Sequence, residues 1–175
     1  MRWPNRLIVT VSWWTTLHQL QGLQNRQGNV DDPNYSRLIH GLILGQMTDD
    51  DEKLDFIFEE ASGLGPTIAE QMATKDCGNR YLDVDPSHEE RMKHALPKET
   101  CECLPIGPVN ATTWAYRQLL DGHIRREEFW LKKIKGKDFR AALMVCGREH
   151  LLSFSFRLRA GGFEVEAVSY NPHLK

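Results

Sequence analysis

Residues 140–169, "RAALMVCGREHLLSFSFRLRAGGFEVEAVS", decide how the chain folds. The run at 140–146, "RAALMVC", is short, apolar and closed by Gly147, so it reads as a strand buried on both faces. The stretch at 148–162, "REHLLSFSFRLRAGG", reads as a helix that ends on Gly161-Gly162. A second strand follows at 163–169, "FEVEAVS". Strand, helix, double glycine and strand make a crossover unit, and crossovers join parallel neighbours.

The same alternation extends towards the N-terminus. Short runs rich in β-branched residues predict strands at 6–12 "RLIVTVS", 55–59 "DFIFE" and 80–84 "RYLDV". Helices are predicted at 34–47, after Asp32-Pro33, and at 65–78, with Pro66 near its first turn and Gly78 as its stop. A third covers 85–96, with Ser87 and Glu90 at capping-box spacing. Residues 110–122 predict a fourth, with Asn110 as N-cap and Gly122 as the stop, and 124–136 a fifth. The expected fold is therefore α/β, a mainly parallel central sheet of about five strands flanked by helices on both faces. Residues 1–175 are expected to form one domain with long loops at 20–32 and 97–109.

Composition narrows the function classes. The chain is 41% hydrophobic and 26% charged with a formal net charge of −2, an ordinary globular balance. Neither a general nucleic-acid binder nor a membrane-surface protein is expected, since both want a basic excess. The one dense basic run, "RREEFWLKKIKGKDFR", interleaves acids and reads as a solvated helix face. No stretch of 18 apolar residues predicts a membrane span. "LIVTVSWWTTL" lacks a small-residue cleavage site and reads as a strand instead of a leader. Four cysteines, Cys77, Cys101, Cys103 and Cys146, are too sparse for a disulfide scaffold, so a reducing cytoplasm is expected. The first three lack the paired knuckles of a structural zinc site.

Ligands of open parallel sheets gather beyond the carboxyl ends of the strands. His18 follows the first predicted strand, Glu59 and Glu60 end the second, Asp83 and Asp85 the third, and Glu149 and His150 follow the fourth. Two histidines and several carboxylates on one rim form a divalent-metal or an acid/base set. Each residue also has a structural reading. Asp85, ahead of Pro86-Ser87, reads first as a helix cap and second as a binding residue. Glu149 gains from a helix dipole without any role in chemistry. His40, His88, His94, His123 and His173 read as surface. Gly147 lets the backbone turn sharply and brings His150 over the rim, and Thr16, in "TTLH", is a further binding candidate. Nucleotide-binding loops and the serine nucleophile elbow are absent. Gly63 and Gly65, in "SGLGPT", put a flexible turn before a helix start, a weak anion-site signal.

The residues also resemble a known family. "GREH" (147–150) behind the apolar "ALMVC" resembles the second GxxH motif of the TraB/GumN group, which includes the Tiki proteins, within the erythromycin-esterase-like and ChaN-like superfamily. "REEFWLKKI" (126–134) resembles the preceding family helix and makes Arg126 its arginine. "DFIFEE" resembles the strand whose terminal acid belongs to the site, Glu59 with Glu60 as the alternative register. "TTLH" stands at the first GxxH, with Thr15 where the family has glycine. The resemblance implies a metal-dependent hydrolase of peptide or ester bonds acting on a small molecule or peptide. His18, Glu59 and His150 would hold a divalent ion, and Glu59, Glu60, Arg126 and His150 would be catalytic. The alternative is a noncatalytic small-ligand or regulatory module. Trp3, Trp13 and Trp14 read as core or as the interface of a homodimer.

Overall fold

Alternating side chains build two cores on one sheet. The computed structural model describes residues 6–12, 33–44, 54–61, 67–96, 109–147 and 150–168. The elements are β1 (Arg6–Ser12), α1 (Pro33–Ile43), β2 (Phe56–Glu59), α2 (Ile68–Gln71), a π-helical continuation (Met72–Cys77), β3 (Arg80–Asp83), α3 (His88–Lys93), α4 (Val109–Lys135), β4 (Ala141–Gly147), α5 (Leu151–Ala160) and β5 (Glu164–Val168). All five strands are parallel, in the order β3-β2-β4-β1-β5. The α/β expectation therefore holds. β4 lies at the centre and is buried along its whole length, as a run that is apolar on both faces requires.

Leu7, Val9, Phe56, Phe58, Ala142 and Met144 face one way and pack on Trp130 and Ile134 of α4 and on Phe154 and Leu158 of α5. Ile8, Ile57, Leu143 and Val145 face the other way and pack on Ile39, Leu42 and Ile43 of α1 and on Ala69 of α2. The period-2 alternation of strands assigns each residue to its side. β1 and β4 are neighbours, yet the helix after β1 lies on one face and the helix after β4 on the other. That divergence makes a topological switch point at their carboxyl ends, where Ser12 is paired with Gly147.

Helix boundaries bring one correction. Val109–Lys135 is a single helix of 27 residues, so Gly122 is not a stop and Asn110 is not an N-cap. A glycine inside a helix costs about 1 kcal/mol, less than this helix gains by burying Trp130 and Ile134. Three other signals held. Ser87 and Glu90 form a reciprocal capping box ahead of α3, Gly78 closes the π-helical segment at φ 67°, and α5 ends at Gly161 and Gly162. The loop at 20–32, residues 97–108 of the loop expected at 97–109 (Val109 opens α4), the tryptophans Trp3, Trp13 and Trp14, Gly63, Gly65, Cys101 and Cys103 lie outside the described residues. No helix among the described residues is long and apolar enough to cross a membrane.

Candidate functional site

The carboxyl ends of β2, β3 and β4 carry a buried network of charges. Asp83, at the end of β3, accepts from the backbone N–H of Ala61 (3.1 Å) and of Asp85 (2.9 Å), which clamps the exits of β2 and β3 together. Glu60 then projects towards α4 and α5. Its Oε2 accepts the backbone N–H of Gly147 at 2.8 Å, and its Oε1 accepts from Arg126 Nη2 at 2.6 Å. Gly147 is the last residue of β4, not the bend expected after it, and it contributes through its N–H.

Arg126 is 3% exposed and bridges two carboxylates. Besides Glu60, it donates through Nε and Nη2 to Asp85 Oδ1, at 3.2 and 2.7 Å. Its guanidinium lies 5.0 Å from the Trp130 ring centroid, and the Trp130 indole N–H donates to the same Asp85 oxygen at 3.3 Å. Arg91, one turn into α3, reaches back to Asp85 Oδ2 at 2.5 Å. Asp85 is thus no helix cap, which is Ser87's part, but the centre of a buried ion cluster. Burying charges is costly unless each is paired and hydrogen-bonded, and these are.

His150 is fully buried beside this cluster. Its Nδ1 lies 2.9 Å from Glu127 Oε1. Glu127 also accepts from Ser153 Oγ at 2.5 Å and from Arg157 Nε at 2.7 Å. Burial opposes ionisation of Glu127, but the hydrogen bonds from His150, Ser153 and Arg157 outweigh it and hold its pKa below the ordinary carboxylate value. An ionised carboxylate only accepts, so Nδ1 carries a proton and donates it to Glu127, and in the neutral imidazole Nε2 is then the bare nitrogen. Nε2 is buried with no hydrogen-bond partner among the described residues, and Glu60 Oε1, 3.8 Å away, is beyond hydrogen-bond range. The rings of His123 and Trp130 pack against the imidazole, at centroid distances of 4.5 and 4.7 Å.

Of the residues singled out from the sequence, the fold brings together Glu60, Asp85, Arg126, Gly147 and His150. Glu59 is not among them. Adjacent strand residues point to opposite faces, and Glu59 faces the α1/α2 side, where Thr67 Oγ1 and Tyr81 Oη donate to its Oε2. Burial, above all, raises its pKa to about 7. His18, Thr16 and Glu149 lie outside the described residues. Several participants were missed, His123 and Glu127 nearest to the imidazole among them. His123, read as surface, is half-buried against His150. Glu127 was folded into a solvated run, although it shares i, i+3 and i+7 spacing with the buried Trp130 and Ile134. An acid on the apolar stripe of a helix was the signal available.

No group of three or more histidine, cysteine or acidic side chains suited to a metal ion occurs among the described residues. The Glu60 carboxylate and His150 Nε2 lie 3.8 Å apart, and Arg126 already occupies the facing Glu60 oxygen. Hydrolytic zinc sites use three protein ligands, so the described residues alone do not fit the implied ion. A separate open groove of about 340 Å³, lined by Leu82, His94, Phe129 and Lys132 among others, includes neither His150 nor Arg126.

No family model, curated protein or solved structure matches this chain.

Proposed function

We propose that the chain is a hydrolase of ester or peptide bonds, with His150 as the general base and Glu127 as the residue that orients it. One observation carries the reading: a buried imidazole whose Nδ1 is held by an ionised carboxylate while its Nε2 has no partner among the described residues. Leaving a buried acceptor unpaired costs about 1–3 kcal/mol, which folding alone gives no reason to retain. With Nδ1 paired to Glu127, Nε2 is oriented to take a proton from a water or hydroxyl that reaches it. The Glu127 carboxylate then stabilises the imidazolium that forms, as the acid of a catalytic triad does. Arg126, pinned by Asp85 and Glu60, keeps a fixed positive charge beside the reacting group. The resemblance of "GREH" and "REEFWLKKI" to TraB/GumN motifs supports the same class of chemistry.

Turnover of activated acyl esters and of short peptides tests the proposal. His150→Gln is expected to lower kcat by about 10²–10⁴-fold, with circular dichroism unchanged. A wild-type protein inert towards both classes, or a His150→Gln variant as active as wild type, refutes it in favour of a noncatalytic binding module. The ion-dependent form of the proposal needs His18 as third donor beside His150 and Glu60. A stoichiometric divalent ion in the purified protein, absent from His150→Ala, would establish that form.

A further inference from the structure

Glu127 is the acceptor for a stripe of donors on α5. His150, Ser153 and Arg157 stand at i, i+3 and i+7, so they share one face of the helix. All three meet the same carboxylate: His150 Nδ1 and Ser153 Oγ at Oε1, Arg157 Nε at Oε2. A carboxylate saturated in this way cannot rotate or take up a proton without losing a charge-assisted bond. Arg157 differs from the other two in bringing a full positive charge. Its side chain is 27% exposed and also meets Glu128 Oε1 at 3.6 Å, so it links the buried acid to solvent.

We infer that Arg157 and Ser153 are positioning residues that act through Glu127 to hold the His150 imidazole protonated at Nδ1 and bare at Nε2. This inference rests on the hydrolase reading for its catalytic meaning, but its physical content stands apart from turnover. The charged and titratable groups around the imidazole are Glu60, at the exit of β2, with Arg126 and Asp85 behind it, and Glu127 and His123 on α4. Arg157, on α5, stands behind Glu127. Arg126 and Arg91 pair with Glu60 and Asp85, and Arg157 is the cation on Glu127. Removing the Arg157 charge leaves Glu127 uncompensated next to His150. The negative field then favours an imidazolium, which has no lone pair at Nε2 and cannot act as a base.

The test combines long-range ¹H–¹⁵N correlation spectra of the His150 imidazole with steady-state kinetics, in wild type, Arg157→Gln, Arg157→Lys and Ser153→Ala. The neutral imidazole of wild type is expected to be the Nδ1–H tautomer. In Arg157→Gln the imidazolium should persist to higher pH, and kcat at neutral pH should fall about tenfold or more with little change in KM. Arg157→Lys should restore both readouts in large part, because it returns the charge. Ser153→Ala, milder and at an exposed position, should add a second tautomer without the alkaline displacement. His150 spectra that are identical in wild type, Arg157→Gln and Ser153→Ala overturn the inference, whatever the kinetics show. If wild type hydrolyses nothing but the imidazole responds as described, the positioning role stands and the hydrolase reading fails. If His150 proves essential for turnover but Arg157→Gln changes neither readout, the hydrolase reading stands and the positioning role fails.

Discussion

Glu59→Gln should remove a pH dependence from the stability of the fold. Glu59 is 5% exposed on the α1/α2 side of the sheet, and its described partners are the hydroxyls of Thr67 and Tyr81. Burial raises its pKa most. The two hydroxyl bonds lower it, the charges of Asp83 and Glu70 raise it further, and the result is a move from 4.5 to about 7. The native state therefore binds this proton more tightly than the unfolded chain does. The associated stability is fully present below about pH 4.5 and is lost as pH rises through about 7. At about 1.4 kcal/mol for each pH unit between the two values, the full effect is about 3 kcal/mol. Tyr81, whose pKa is raised by burial and by Glu59, stays protonated throughout this window. Urea unfolding at pH 5 and pH 8 measures the effect. Wild type should lose about 2.5 kcal/mol more than Glu59→Gln between these pH values, other titrating groups cancelling in the difference. Stabilities that run parallel to within about 0.5 kcal/mol would show that the carboxylate is ionised in the native state without penalty, and the reasoning from burial would be wrong.

Arg126→Met should cost about 3–5 kcal/mol, because it removes the buried cation that Glu60 and Asp85 share. Adding Asp85→Asn should recover part of that loss, and a double-mutant cycle in urea measures the coupling. Gly78→Ala should cost about 1–2 kcal/mol from backbone strain alone, since φ is 67° and no atom lies within 4 Å of an added Cβ. Gly78→Asn should cost less, and denaturation midpoints compare the two. Leu152→Ser and Phe156→Ser, at side chains 81% and 72% exposed, should each change stability by less than about 0.5 kcal/mol in thermal melts.

Part of the site was legible because rim positions follow from strand ends. Glu60, Asp85 and His150 were identified by standing just beyond apolar runs, and the resemblance added Arg126. Which acid of Glu59-Glu60 faces His150 was not legible, since a register error of one residue inverts every side chain and "DFIFEE" is apolar on both faces. Glu127 was lost in a charge-rich run that reads as solvated until Trp130 and Ile134 reveal which face of α4 is buried. Asp85 looked like a cap because caps and buried acids share residue types. Only the Ser87–Glu90 box settles which residue caps α3. Gly122 misled for a related reason: local propensity is a weak prior, and packing along a 27-residue helix overrides it.

Taken alone, the sequence determined the order of strands and helices, the parallel sense of the sheet and the edge at which polar chemistry gathers. Those properties follow from hydrophobic period, caps and crossover length, all of which operate over a few residues. Tertiary structure alone decided the strand order β3-β2-β4-β1-β5, the turning of Glu59 away from Glu60, and the meeting of Glu127 with His150 and of Arg126 with Asp85. These partners lie 23 and 41 residues apart in the chain. What joins them is the packing of α4 and α5 on one face of the sheet, and no local pattern of residues specifies the neighbour that packing supplies.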